Sequence, residues 1–169
     1  MKIGVISDTH SYLDDKVLTY FREVDEIWHA GDVGTLDVLE KLEAFKTTRT
    51  VYGNIDGQDI RIRTQRGLIF ETEGKRFLMT HIAGTPPRYN PEIRKMIAQY
   101  HPDVLICGHS HILRVEFDKK NSLLFLNPGA AGKHGFHKVR TLLRFEVEKG
   151  KIFNMEVVEL GPRASLLPE

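Results

Sequence analysis

Residues 1–10 read MKIGVISDTH, a short β-branched run that stops on an Asp-x-His group. Lys2 to Ser7 predicts a buried strand, and the polar residues begin where that strand ends. Val17, Leu18, Tyr20 and Phe21 then supply a helical stripe, with Ser11 as the expected N-cap. Glu26 to His29 predicts a second strand, Thr35 to Phe45 a second helix, and Arg49 to Tyr52 a third strand ending at Gly53-Asn54. A β-α-β-α-β alternation of this kind predicts a parallel sheet covered by helices.

From residue 68 onward the pattern changes. Leu68–Glu71 and Arg76–Thr80 flank a turn, Pro91–Tyr100 predicts a helix with proline in its first turn, and Asp103–Cys107 predicts a strand. Leu113–Asp118 with Ser122–Leu126, and Thr141–Val147 with Ile152–Val158, predict two further hairpins. A helix-covered parallel part followed by a hairpin-rich part fits an α/β (α+β) fold in which two sheets pack face to face with helices outside. One domain over residues 1–160 is expected, with 161–169 as a tail.

The chain has 169 residues, a formal net charge of +1, one cysteine and eight histidines. The near balance of charge argues against a dedicated nucleic-acid or acidic-membrane binder. Cys107 has no partner for an internal disulfide. No apolar run approaches the ~18–20 residues of a membrane helix, and the N-terminal run is too short for a signal segment. A cytoplasmic protein is expected. The Leu123–Leu126 segment and the Phe153–Leu160 strand predict an apolar edge on which a homo-oligomer could form.

The histidines carry the functional reading. Asp8-Thr9-His10, Gly31-Asp32, Gly53-Asn54, Thr80-His81 and Gly108-His109-Ser110-His111 each follow a predicted strand directly. In open α/β sheets the carboxyl ends of strands line the ligand crevice. Taken singly, each block also reads as an N-cap, a turn or a strand-end histidine. Together they deliver carboxylates, an amide oxygen and imidazoles to one rim, a donor set that suits Mn, Fe, Zn or Ni. Seven ligands with one shared carboxylate suit two ions about 3.5–4 Å apart.

This set of five blocks resembles the calcineurin-like metallophosphoesterase superfamily, and the length and layout resemble its small YfcE-type phosphodiesterase branch. The resemblance implies a four-layer αββα sandwich of two mixed β-sheets with a dinuclear site at one end. It implies one metal on Asp8, His10, Asp32 and His111, and another on Asp32, Asn54, His81 and His109, with Asp32 bridging and Mn expected first. Catalysis is then expected to involve Asp32, Asn54 and His81, with a metal-bridging hydroxide attacking phosphorus in line. The expected partner is a small phosphodiester or other phosphate-containing substrate. An alternative is a protein-interaction scaffold like a retromer subunit, which resembles the same fold.

Two positions depart from the superfamily pattern. Many members follow the Gly-Asn pair with a histidine that protonates the leaving oxygen, whereas this chain has Ile55. Ile55 has no proton to give, so diesters with aryl-type leaving groups are expected to react best. The branch often reads His-Gly-His at the fifth ligand, whereas this chain reads His81-Ile82-Ala83-Gly84. Asp56 reads either as a turn residue or as an anchor for the Asn54 loop or a water. Arg88 and Tyr89 read as a solvated loop pair or as contacts to a phosphate or base. His134 and His137 read as loop histidines or as groups overhanging the site, and His29 as a partner to a ligand.

Overall fold

The computed structural model describes residues 1–164. In chain order the elements are β1 (Lys2–Ile6), α1 (Asp15–Tyr20), β2 (Glu26–His29), α2 (Leu36–Phe45), β3 (Thr47–Thr50), α3 (Gln58–Arg61), β4 (Gly67–Thr72) and β5 (Lys75–Thr80). They continue with β6 (Gly84–Thr85), β7 (Arg88–Tyr89), α4 (Pro91–Tyr100), β8 (Val104–Ile106), β9 (Leu113–Asp118), β10 (Leu123–Pro128), β11 (Val139–Glu148) and β12 (Lys151–Pro162). Two five-stranded sheets result, ordered β12-β11-β1-β2-β3 and β4-β5-β8-β10-β9. Both are mixed. β1, β2 and β3 run parallel, β11 runs antiparallel to β1, and β12 runs antiparallel to β11. In the other sheet β5, β8 and β10 are parallel, with β4 and β9 antiparallel at its edges.

The expected four layers are present. Ile3, Val5, Trp28, Phe77, Met79, Ile106, Leu126 and Phe145 fill the space between the sheets. Trp28 meets Phe70, Phe77 and Phe145 edge-on, with centroids 4.8–5.9 Å apart. Its indole N–H donates to Glu26 Oε2 at 2.8 Å, and Arg49 Nε donates to the same oxygen, so the buried carboxylate is paired. A second cluster sets Val17, Phe21, Leu39, Leu42 and Ile60 of the first three helices and their flanks against Ile6, Leu142 and Leu160. A third sets Ile93 and Ile97 of α4 against Leu78, Leu105 and Phe125. Glycine at position 4 is what lets Phe21 lie flat on β1, because a Cβ there would fall 2.4 Å from the ring.

Several boundaries differ from the sequence reading. The N-cap of α1 is Asp14, which accepts from Lys16 N and pairs with Arg140, rather than Ser11. β3 starts at Thr47 because Thr47 and Thr48 pair with Glu26 and Ile27. The Pro-rich loop holds the small β6–β7 ladder. The Leu123–Leu126 segment lies in β10, inside its sheet between β8 and β9, so it is no free edge; β12 is an edge, with Phe153 and Val157 exposed. β12 reaches Pro162, and residues 165–169 of the expected tail lie outside the described residues. No helix among the described residues is long and apolar enough to cross a membrane.

Candidate metal centre

The five strand-end blocks converge at one rim of the sandwich. Asp8 and His10 follow β1, Asp32 follows β2, Asn54 follows β3, His81 follows β5, and His109 and His111 follow β8. Asp8, His10, Asp32, His109 and His111 all adopt left-handed backbone, with φ between 44° and 70°. For non-glycine residues this conformation is strained, and such strain concentrates at functional sites. It turns each side chain inward as its strand ends.

Two groups of donors result: Asp8, His10 and His111, and Asp32, His81 and His109. Asp8 Oδ2 accepts the His109 backbone N–H at 3.1 Å, leaving Oδ1 to face His111 Nε2 at 3.2 Å. Asp32 spans the groups, with Oδ2 3.5 Å from His10 Nε2 and Oδ1 3.2 Å from His81 Nε2. Asn54 Oδ1 lies 2.9 Å from His109 Nδ1. A Cβ on Gly53 would fall 2.0 Å from Asp32 Oδ1, so only glycine lets that loop close against the carboxylate.

Whether these residues fit metal ions can be judged from their unsatisfied atoms. Asp8 Oδ1, His10 Nε2 and His81 Nε2 are buried with no hydrogen-bond partner. Buried polar atoms are rarely left orphaned, and three aimed at one centre are what divalent cations would satisfy. The divalent metals that the resemblance implies fit these two clusters.

The imidazoles are oriented from behind. His81 Nδ1 donates to Ala30 O at 2.8 Å, which presents Nε2 to Asp32. His137 Nε2 donates to Gly132 O at 2.9 Å, so its Nδ1 is left to accept from His111 Nδ1–H at 3.3 Å. That fixes the lone pair of His111 Nε2 toward Asp8. His29 is fully buried: Gly31 N–H donates to its Nδ1, and its Nε2–H reaches Thr9 Oγ1 at 2.9 Å. Thr9 Oγ1 in turn donates to Val33 O at 2.9 Å, tying the Asp8 loop to the Asp32 loop. Asp56 accepts Gly34 N–H at 2.8 Å and Gly53 N–H at 2.7 Å, so it anchors the Asn54 loop.

Electrostatics follow the same geometry. Burial works against charge on His81, but the Asp32 and Asp8 carboxylates outweigh it and raise its pKa. Burial likewise opposes ionisation of Asp32, and His81, the Ile55 N–H and His10 overcome it to hold the carboxyl low. Burial lowers His10 and His137. It takes His29 down to about 4. Burial raises the Cys107 thiol, which is therefore no nucleophile.

The groups open onto a cleft of ≈ 520 Å³ whose outer wall includes Ile55, Ile112 and Phe136. All three are exposed, so the rim is apolar around a polar floor. His134 stands over His10 with ring centroids 4.8 Å apart. Tyr89 is not a substrate contact: it is buried, and its hydroxyl donates to Asp118 Oδ2 at 2.9 Å, pinning β7 to the β9–β10 hairpin. Arg88 is exposed on the same short strand and does not line the cleft. The tethering by His29, Asp56 and His137 was only partly readable in the sequence: His29 and Asp56 stand beside ligand blocks without a distinctive spacing, and His137 lies 26 residues beyond His111.

Comparison with known proteins identifies the family. Residues 1–150 match the family model described as the calcineurin-like phosphoesterase superfamily domain. A "probable metallophosphoesterase" of Methanothermobacter thermautotrophicus is 36% identical over 135 residues, covering 77% of this chain and 77% of that protein. A solved structure characterised as a novel archaeal phosphodiesterase superposes with a TM-score of 0.75 at 26% identity, covering 95% of this chain and 100% of that one. Vps29 of Entamoeba histolytica complexed with Zn²⁺ shares the fold, with a TM-score of 0.71 at 18% identity and coverage of 94% of this chain and 99% of that one.

Proposed function

Because the chain belongs to the calcineurin-like phosphoesterase superfamily, we propose that it hydrolyses phosphodiesters with two divalent metal ions held at the strand-end rim. The observation that carries this reading is the trio of orphaned buried atoms, Asp8 Oδ1, His10 Nε2 and His81 Nε2, beside an Asp32 carboxylate that offers one oxygen to each group. Asp8, His10, His111 and Asp32 Oδ2 would hold one ion; Asp32 Oδ1, Asn54, His81 and His109 would hold the other. Neutral imidazole, carboxylate and amide oxygen suit Mn²⁺, Fe²⁺, Zn²⁺ and Ni²⁺, of which Mn²⁺ is the first to test. Two such ions supply Lewis-acid charge for the phosphoryl oxygens and an activated water.

The chain's own residues set the rest. Asp32, with its carboxyl held low, stays ionised as the shared ligand. His81 and His111 are kept in the tautomer that presents Nε2 by Ala30 O and His137. In the hydrolysis, water oxygen joins phosphorus and the bond from phosphorus to the leaving oxygen breaks. Ile55 stands at the rim and cannot protonate that oxygen, so leaving groups that depart as stable anions are favoured. Ile55, Ile112 and Phe136 offer apolar surface to an aryl or nucleoside group. Diesters with such groups are therefore favoured over alkyl monoesters.

A protein-binding scaffold is the alternative allowed by the shared fold with Vps29, but a scaffold does not require all seven ligand positions to be filled. The test is hydrolysis of bis(4-nitrophenyl) phosphate against an alkyl monophosphate after loading with each metal. Faster turnover of the diester supports the reading. Faster turnover of the monoester overturns the diester preference, and no turnover with any metal favours the scaffold.

A further inference from the structure

A second cavity, ≈ 540 Å³, adjoins the metal centre and is walled in part by two of its residues, Asn54 and His81. Its remaining wall carries two guanidinium groups, Arg61 and Arg66, against a single carboxylate, Glu92. Arg66 pairs with Glu92 at 2.7 Å. Arg61 has no carboxylate within 4 Å among the described residues. Its Nε donates to Asp56 O at 2.7 Å, its Nη2 lies 3.4 Å from Gly53 O and Asn54 O, and its guanidinium lies 4.7 Å over the Tyr52 ring. The backbone carbonyls and the ring hold this cation in place without neutralising it. A fixed guanidinium without a carboxylate partner, sharing a cavity wall with a second that pairs with Glu92, is a site for phosphate, whose oxygens match the planar fork.

We propose that this cavity binds a second phosphate, so that the preferred substrate is a phosphodiester carrying a terminal phosphate on the arm that does not leave. The proposal rests on the phosphodiesterase reading for the position of the scissile group. With the scissile phosphorus at the shared ligands, one substituent faces the apolar rim of Ile55 and Phe136. The other, past Asn54 and His81, enters the Arg61–Arg66 cavity. The two cavities thus sort the arms of the diester by charge: apolar leaving group outward, anionic arm inward.

Arg66 is the position to substitute, because Arg61 also braces the carbonyls of the Asn54 loop. The probes are thymidine 3′-(4-nitrophenyl phosphate) with and without a 5′-phosphate. In the wild-type protein the 5′-phosphate should raise kcat/KM about tenfold, mainly through KM, as expected for a charge-assisted contact partly exposed to water. Arg66→Met, which leaves Arg61 in the cavity, should lower that ratio severalfold, and Arg66→Lys should restore part of it. Lys41→Met, which removes a cation on α2 outside the cavity, should keep the ratio. Equal wild-type rates for the two esters, or a ratio unchanged by Arg66→Met, would overturn the proposal. A binding arm uses metal-free protein titrated with thymidine 3′,5′-bisphosphate and with thymidine 3′-monophosphate. Tighter binding of the bisphosphate that is weakened in Arg66→Met supports the subsite, and equal affinities of the wild type for the two ligands overturn it. If neither ester is cleaved with any metal, the hydrolase reading falls and the binding arm alone decides the subsite.

Discussion

His137 Nδ1 lies 3.3 Å from Nδ1 of His111, and its other ring nitrogen donates to Gly132 O. The second contact settles the first: with Nε2 protonated, His137 accepts, so His111 donates from Nδ1 and keeps its Nε2 lone pair toward Asp8. A group of this kind behind a ligand is typically worth 10–100-fold in metal affinity. His137→Ala should weaken one of the two metal ions by about that range and leave the other near its wild-type affinity. A stepwise metal titration followed by calorimetry separates the two events. Loss of both ions together, or of neither, would count against this role.

Asp56 ties two loops through two backbone donors, Gly34 N–H and Gly53 N–H. Asp56→Ala leaves both donors without a partner, one of them buried, at a cost of about 2–4 kcal/mol. Chemical denaturation of metal-free protein should show that loss. Asp56→Asn, which keeps one acceptor oxygen, should recover part of it. A fall below about 0.5 kcal/mol would mean that water replaces the carboxylate readily.

Stability should also depend on the charge state of His29. Burial lowers its pKa from 6.5 to about 4, so the folded protein keeps it neutral where the unfolded chain takes up a proton. The fold is therefore fully stable with respect to this group above pH 6.5 and loses stability as pH falls toward 4. The whole shift corresponds to about 3 kcal/mol. Urea midpoints of metal-free protein between pH 7.5 and 4.5 should fall more steeply for the wild type than for His29→Gln. Parallel slopes would place the acid sensitivity elsewhere.

Ile55 occupies the rim with its backbone N–H on Asp32 Oδ1 at 3.1 Å and its side chain 46% exposed toward the cleft. Ile55→His would place a proton donor there without removing that backbone contact. General acids contribute about 10²–10⁴-fold, and a newly placed one should give at least about tenfold on an alkyl monoester. Rates measured at pH 6–7 check it. Unchanged rates would mean that the leaving oxygen is reached by another donor.

The layered fold and the converging blocks were legible because both depend on local signals. Strand ends are marked by a β-branched run giving way to Asp, Asn or His, and βα alternation places those ends on one side. What escaped the sequence depends on distant partners. Asp14, rather than Ser11, caps α1, where it meets Arg140 from β11. Tyr89 is buried because Asp118, 29 residues on, takes its hydroxyl. α3 is four residues long and carries little periodicity, yet it supplies Arg61 to the second cavity. His137 lies on a loop whose path is set by Gly132 packing against the Asp8-Thr9 carbonyls, where a Cβ would fall 2.2 Å from Thr9 O.

The central claim is that Asp32 joins two metal ions into one centre, and elemental analysis of metal per chain tests it most directly. Wild-type protein loaded with Mn²⁺ and freed of excess should retain two ions per chain and cleave bis(4-nitrophenyl) phosphate. Asp32→Asn, of the same size but without the shared charge, should retain one ion or none and lose cleavage. Two ions retained by Asp32→Asn with diester cleavage intact would contradict the account.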